Sequence, residues 1–106
     1  MPNRGFSKYR AQRTEVDGIV FHSKKEAKRY GELKLMLMAG AISKLEMQKP
    51  FPCKVGNSVI CTWRADFCYI EGGRWIVEDT KGFRTPEYKI KKKLVEAIYG
   101  ITIRET

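Results

Sequence analysis

Arg64-Ala65-Asp66-Phe67-Cys68-Tyr69-Ile70-Glu71-Gly72-Gly73-Arg74-Trp75-Ile76-Val77-Glu78-Asp79-Thr80-Lys81 is the stretch that decides how this chain folds. Two β-rich runs flank Gly72-Gly73, a two-residue hairpin signal. With both glycines in the loop, Glu71 faces Arg74, Ile70 faces Trp75, Cys68 faces Val77, Asp66 faces Asp79 and Arg64 faces Lys81. Side chains alternate with period two, so the pairs from Ile70–Trp75 to Arg64–Lys81 share one face. Along it, two apolar pairs are followed by a carboxylate pair and then a basic pair. Glu78 points to the opposite face and reads as a bystander.

Outward from the hairpin, the elements are punctuated by caps and breakers. Val59 to Ile70 is the first hairpin strand and Trp75 to Lys81 the return strand. Ile42 to Phe51 reads as an earlier strand, stopped by Pro50 and Pro52, with Asn57 marking the turn that follows. Ser23-Lys24-Lys25-Glu26 has the form of a capping box opening a helix to about Met38, with Gly40 as its left-handed stop. Tyr30, Leu33 and Leu37 continue the face on which Glu26 stands, so that acid is expected at the edge of the core. Thr85-Pro86 opens a second helix, with Ile90, Leu94, Ala97 and Ile98 as its apolar stripe and Gly100 as its end. Ile101 to Ile103 is a last short strand, and Val16 to Phe21 a short extended piece around a turn. Residues 1 to about 14 form a basic N-terminal arm and 15–106 one domain. The expected fold class is α/β: an αβββαβ core, a mixed sheet flanked by helices.

Composition bounds the rest. The chain has 106 residues, 42% hydrophobic and 11% aromatic, enough for one packed core. No apolar run approaches the roughly 20 residues a membrane span needs, and Met1 to Gly5 lacks the apolar stretch of a signal peptide. A soluble, cytoplasmic protein without a membrane partner is expected. Cys53, Cys61 and Cys68 contain no CxxC pair, which argues against a disulfide framework; a zinc site using them with His22 lacks closely spaced ligand pairs. With 21 Lys+Arg against 12 Asp+Glu, the formal net charge is +9. That surplus points to a polyanion, and first to nucleic acid, because each neutralised phosphate releases counterions.

The carboxylate pair carries the chemistry. Directly opposed residues have Cβ atoms about 5 Å apart, where like charges destabilise the sheet. A divalent cation between Asp66 and Asp79 removes that repulsion. Hard oxygen donors suit Mg²⁺ or Mn²⁺ better than zinc. Lys81, on the same face two residues after Asp79, is placed to stabilise a hydroxide nucleophile and the charge developing on phosphorus. Glu26 either completes the metal shell or is only the capping-box acid. Lys89, Lys92 and Lys93 share one side of the second helix and form either an ordinary solvated face or a phosphate-tracking one. With Arg64, and Arg10 and Arg13 of the arm, they make the expected DNA-binding set; Gln48 is placed to orient water or substrate. Trp63, Trp75 and Tyr88 read as core rather than base-stacking platforms.

Ala65-Asp66-Phe67, a glycine turn, then Val77-Glu78-Asp79-Thr80-Lys81-Gly82 resembles the signature of the PD-(D/E)XK nuclease superfamily. Asp17-Gly18, Phe21-x-Ser23-x-x-Glu26, Gln48 and Thr85-x-x-Tyr88 extend the likeness to small phage-encoded endonucleases of that superfamily, Holliday junction resolvase-like, from about residue 14 onward. Ala65 stands where the literal motif has Pro, and Asp79 is Asp rather than Glu. The resemblance implies a restriction-endonuclease-like core. It also implies metal-dependent cleavage of DNA, with Asp66 and Asp79 as metal ligands, Lys81 as the catalytic lysine and Glu26 as the helix-borne acid. A structure-specific endonuclease acting on branched DNA is the first expectation, since so small a chain has no separate sequence-reading domain. Symmetric cutting of a junction requires a homodimer. The alternatives are a nicking or repair nuclease on ordinary duplex or single strands, and a non-catalytic nucleic-acid-binding module on the same fold.

Overall fold

The computed structural model describes residues 13–80 and 84–106. A hairpin of β1 (Thr14–Val16) and β2 (Ile19–Phe21) precedes α1 (Lys24–Met38), β3 (Ser43–Val55), β4 (Ser58–Glu71), β5 (Arg74–Asp79), α2 (Pro86–Tyr99) and β6 (Ile103–Glu105). The architecture is α/β: a mixed four-stranded sheet ordered β3-β4-β5-β6, the separate β1-β2 hairpin and two helices. Neighbours β3-β4 and β4-β5 are antiparallel, whereas β6 runs parallel to β5. A parallel neighbour needs a crossover, and α2 supplies it. Of the basic arm, Arg10 lies outside the described residues, while Arg13 is exposed just before β1.

Local chemistry fixes the helix ends. Ser23 Oγ accepts from the Glu26 backbone N–H at 3.1 Å, and Thr85 Oγ1 accepts from Tyr88 N–H at 3.0 Å. Gly100 closes α2 in the left-handed region at φ 65°, where a Cβ would be strained. The β4–β5 register follows from the Gly72-Gly73 loop: the ladder runs from Glu71↔Arg74 through Cys68↔Val77 to Phe67↔Glu78.

Several expectations are corrected: the last strand is Ile103–Glu105 rather than Ile101 to Ile103, Trp75 is 43% exposed rather than core, and β3 and α2 also differ. β3 does not stop at Phe51 but continues through both prolines to Val55. It is an edge strand, and Pro50 and Pro52 stand at alternate ladder positions opposite Arg64 and Thr62. Residues of one parity direct their N–H to one side, and an edge strand has one unpaired side, so two prolines of the same parity are compatible with the ladder. On α2, the buried residues are Tyr88 and Val95, whereas Ile90 is 69% and Ile98 45% exposed. The aromatic residues decide that face. The Tyr88 hydroxyl donates to Glu105 Oε2 at 2.9 Å. Tyr99 meets Phe51 edge-on at 5.1 Å and donates its hydroxyl to the Pro52 carbonyl at 2.6 Å.

The core has two parts. Phe21, Ala27, Tyr30, Leu33, Ile42, Phe67 and Tyr69 pack beneath α1. Phe51, Cys53, Trp63, Ala65, Cys68, Val77, Val95 and Ile103 pack beneath α2. Phe67 and Tyr69 therefore belong to one part, while Trp63 and Ala65, of the same parity on the same strand, belong to the other. On β3, Met47 packs with the first and Phe51 and Cys53 with the second. Both strands turn over at the step occupied by Gln48 and Asp66. Gln48 marks it with a φ of 56°, a left-handed conformation that costs a side-chain-bearing residue on the order of 1 kcal/mol.

Candidate functional site

The turnover opens a cleft. At that step the strand pair passes from the cover of α1 to that of α2, and the N-termini of both helices border the gap. The cleft, about 670 Å³ in volume, is lined by residues that include Glu26, Gln48, Arg64, Asp66, Thr80 and Lys91. They come from α1, β3, β4, the end of β5 and α2, so only the folded chain assembles them.

Asp66 stands one step beyond the last β4–β5 ladder pair. Its Oδ2 accepts from the Thr80 backbone N–H at 2.7 Å, which ties the two strands together through a side chain. Glu26 is buried at 5% exposure. Its carboxylate completes no reciprocal capping box in the hydrogen bonds described: Oε2 accepts from Gln48 Nε2 at 2.8 Å across the cleft. The first-turn position also places its negative charge at the favourable end of the helix dipole. Gln48 is held from behind by Arg64 Nη1, which donates to the Gln48 carbonyl at 3.4 Å. Asp79 is fully buried. Its charge reaches the cleft wall, since burial first and then the Asp79 carboxylate push the Tyr88 phenol well above its ordinary value.

Of the residues singled out in the sequence, the structure brings Glu26, Gln48, Arg64 and Asp66 to this cleft, with Asp79 buried beside it. Lys81 lies outside the described residues. Lys89 and Lys93 are exposed on α2. Lys92 is engaged with Glu96 at 3.2 Å, and Glu96 also accepts from the Ile103 N–H at 2.8 Å. The lysine of α2 that lines the cleft is Lys91, 3.3 Å from Glu87. It was legible from the other helical face: Lys91 lies one turn from both Tyr88 and Val95, the two residues α2 buries. Among the described residues, no three His, Cys, Asp or Glu side chains form a group able to hold a metal ion.

Glu78 occupies the opposite face, as the hairpin alternation requires. It is fully buried and gripped by Arg29, whose Nη2 and Nε donate to Oε2 and Oε1 at 2.6 and 2.9 Å. The Tyr69 hydroxyl also donates to Glu78 Oε2. This network is structural, joining α1 to β4 and β5. Burial, then the hydrogen bond to Glu78, push the Tyr69 phenol up to about 12. A phenol with a raised pKa binds its proton more tightly folded than unfolded, so the contribution of Tyr69 to stability is fully present below pH 10 and is lost as pH rises from there towards 12. Ultraviolet titration of the folded protein is expected to leave Tyr69 and Tyr88 protonated beyond pH 10. Ionisation of all tyrosines near pH 10 without unfolding would contradict their burial.

A family model matches residues 6–104 of the chain; its description is "Protein of unknown function (DUF1064)". The chain belongs to the DUF1064 family. The matched stretch contains every residue lining the cleft, both helices and the whole β4–β5 hairpin. No curated protein and no solved structure matches the chain. Among the described residues no helix is long and apolar enough to cross a membrane.

Proposed function

We propose that this DUF1064 protein is a Mg²⁺- or Mn²⁺-dependent DNA endonuclease of the PD-(D/E)XK type, acting in the cytoplasm on branched DNA. The observation that carries the reading is the meeting of Glu26 from α1 and Asp66 from β4 in one cleft with Gln48, Arg64 and Lys91. Asp79 is buried beside them, and the Tyr88 phenol on the cleft wall feels its charge. The donor chemistry fits the metal. All three acids offer hard oxygens, and Mg²⁺ commonly takes one or two carboxylates while keeping several waters and substrate phosphate oxygens. A group of three close protein ligands is therefore not required. Asp66 and Asp79 would hold the ion, with Glu26 at its outer edge. When bound, the ion supplies Lewis-acid polarisation of the scissile phosphate and a more acidic water.

The chain's own residues do the rest. Thr80 N–H fixes the rotamer of Asp66 through Oδ2. Gln48 Nε2 orients Glu26 in the same way. Arg64 and Lys91 supply positive charge for the phosphates flanking the cut. Lys81, next in the chain after Thr80, supplies the ammonium that stabilises charge on the pentacovalent phosphorus. Two copies in a homodimer would cut the two strands of a junction symmetrically.

The test uses purified protein with labelled four-way junction, flap and linear duplex DNA in Mg²⁺, Mn²⁺ or EDTA. Junction or flap cleavage in either metal, lost in EDTA, is the expected result. Equal cutting of linear duplex would replace branch specificity with the nicking or repair reading. DNA binding with no cleavage in either metal would leave a binding module, and cleavage that persists in EDTA would remove the metal from the chemistry.

A further inference from the structure

Outside the cleft, one pair of side chains stands in a reactive arrangement. Cys53 on β3 and Cys61 on β4 are direct partners in the antiparallel ladder, and both are free thiols. Directly opposed residues hold their Cα atoms about 4.5–5.5 Å apart, inside the window of about 4.4–6.8 Å that a disulfide spans. The register shifts immediately beyond, between Cys53 and Lys54. A bulge of this kind adds local twist, which helps two opposed side chains reach a disulfide dihedral. Cys53 Sγ points inward, 3.8 Å from the Phe51 carbonyl. Burial first, and then contact with the Cys61 thiol, push the Cys53 thiol up, while the Lys91 ammonium pulls it the other way.

The two thiols are unequal in access. Cys53 is 1% exposed in the α2 core, whereas Cys61 is half-buried at the core's edge. Cys68, the third cysteine, is fully buried elsewhere on β4, and burial raises its thiol to about 11. No thiol lies opposite it, since its ladder partners are Glu46 and Val77, and its full burial shields it from solvent.

We propose that Cys53 and Cys61 are a reversible redox pair, oxidised by hydrogen peroxide to a cross-strand disulfide. Cys61, the accessible thiol, reacts first: its sulfur attacks a peroxide oxygen, the O–O bond breaks and a sulfenic acid forms with loss of one water. The Cys53 sulfur then attacks Cys61 Sγ and displaces the hydroxyl as a second water, forming the S–S bond. Two electrons pass from the sulfurs to the peroxide, and both thiol protons leave in the waters. The pair adjoins the cleft in sequence, since Thr62, Trp63 and Arg64 follow Cys61 directly along β4. The inference does not depend on what the cleft does.

The full chain is exposed to hydrogen peroxide, its remaining thiols are alkylated under denaturing conditions, and the peptides are weighed. The expected product is a Cys53–Cys61 linked peptide pair with Cys68 alkylated, and dithiothreitol restores all three thiols. Cys68→Ser is expected to form the same link. Cys61→Ser is expected to leave Cys53 reduced under the same exposure, with its thiol shielded by the core. A disulfide involving Cys68, over-oxidation of Cys61 with Cys53 still alkylated, or three reduced thiols after exposure would overturn the proposal.

Discussion

Asp66→Asn is expected to slow junction cleavage at least ~100-fold in Mg²⁺, a barrier increase of roughly 2.7 kcal/mol, while DNA affinity stays near that of the parent. The substitution separates two jobs of one side chain. Asparagine keeps an oxygen that accepts from the Thr80 N–H, so the tie between β4 and β5 survives. What it loses is the negative charge that a divalent cation requires. Asp79→Asn and Lys81→Ala are expected to fall as far, and Glu26→Gln less far, because it stands at the outer edge of the proposed metal position. Glu87→Gln provides the contrast: it is an acid of the same cleft, but exposed in the first turn of α2, and cleavage is expected to be near the parent's. Single-turnover rates and gel shifts on the same junction measure the two quantities. Parent-like cutting by Asp66→Asn would remove this cleft as the site of chemistry. A parallel collapse of binding and cleavage would instead make Asp66 a folding residue.

One hairpin offers carboxylates to both of its faces, and one of those faces borders the cleft. Glu78 meets a guanidinium fork and a phenol, so its charge is neutralised within the fold. Asp66, one strand away and on the other face, accepts from the Thr80 N–H through Oδ2 and lines the cleft. Adjacent acids in the sequence Glu78-Asp79 thus belong to opposite faces of the strand because side chains alternate. Adjacency in the chain is no guide to shared function on a strand.

What could be read from the sequence was short-range. Gly72-Gly73 fixed the β4–β5 register because a two-residue loop leaves one pairing. Ser23 and Thr85 marked both helix starts because a cap acts within three residues. Period counting also placed Glu26 on the buried face of α1. The misreadings came from longer-range packing. Prolines stop a central strand but not an edge strand, and which strand is the edge depends on the whole sheet order. On α2, aliphatic residues at helical spacing mark Ile90, Leu94 and Ile98, yet the helix buries the face carrying Tyr88 and Val95. Sheet partners distant in sequence, Phe51 and Glu105, decide that outcome. Lys91 was passed over for the same reason. The turnover at Gln48 and Asp66 breaks the uniform alternation on which strand reading rests, and it is where the cleft opens.

Replacing Arg29 with methionine is expected to destabilise the fold by about 3–5 kcal/mol, because it leaves a buried carboxylate without its counter-ion. Glu78 is fully buried, and Arg29 itself is only 20% exposed at its side chain, so solvent cannot take the place of the guanidinium. The Tyr69 hydroxyl remains as a donor but carries no charge to offset Glu78. Methionine preserves most of the apolar stem, which limits the packing loss and isolates the electrostatic part. Urea unfolding is expected to show a lower midpoint with an unchanged slope, the mark of a stability change without altered compactness. Adding Glu78→Gln to Arg29→Met is expected to recover much of the loss, since removing both charges is far cheaper than stranding one. A loss below about 1 kcal/mol for Arg29→Met would mean that the ion pair is not desolvated as its burial requires. Under conditions where the variant stays folded, its cleavage rate per folded molecule is expected to match the parent's. That outcome distinguishes the acid that holds α1 to the sheet from the acids that face the cleft.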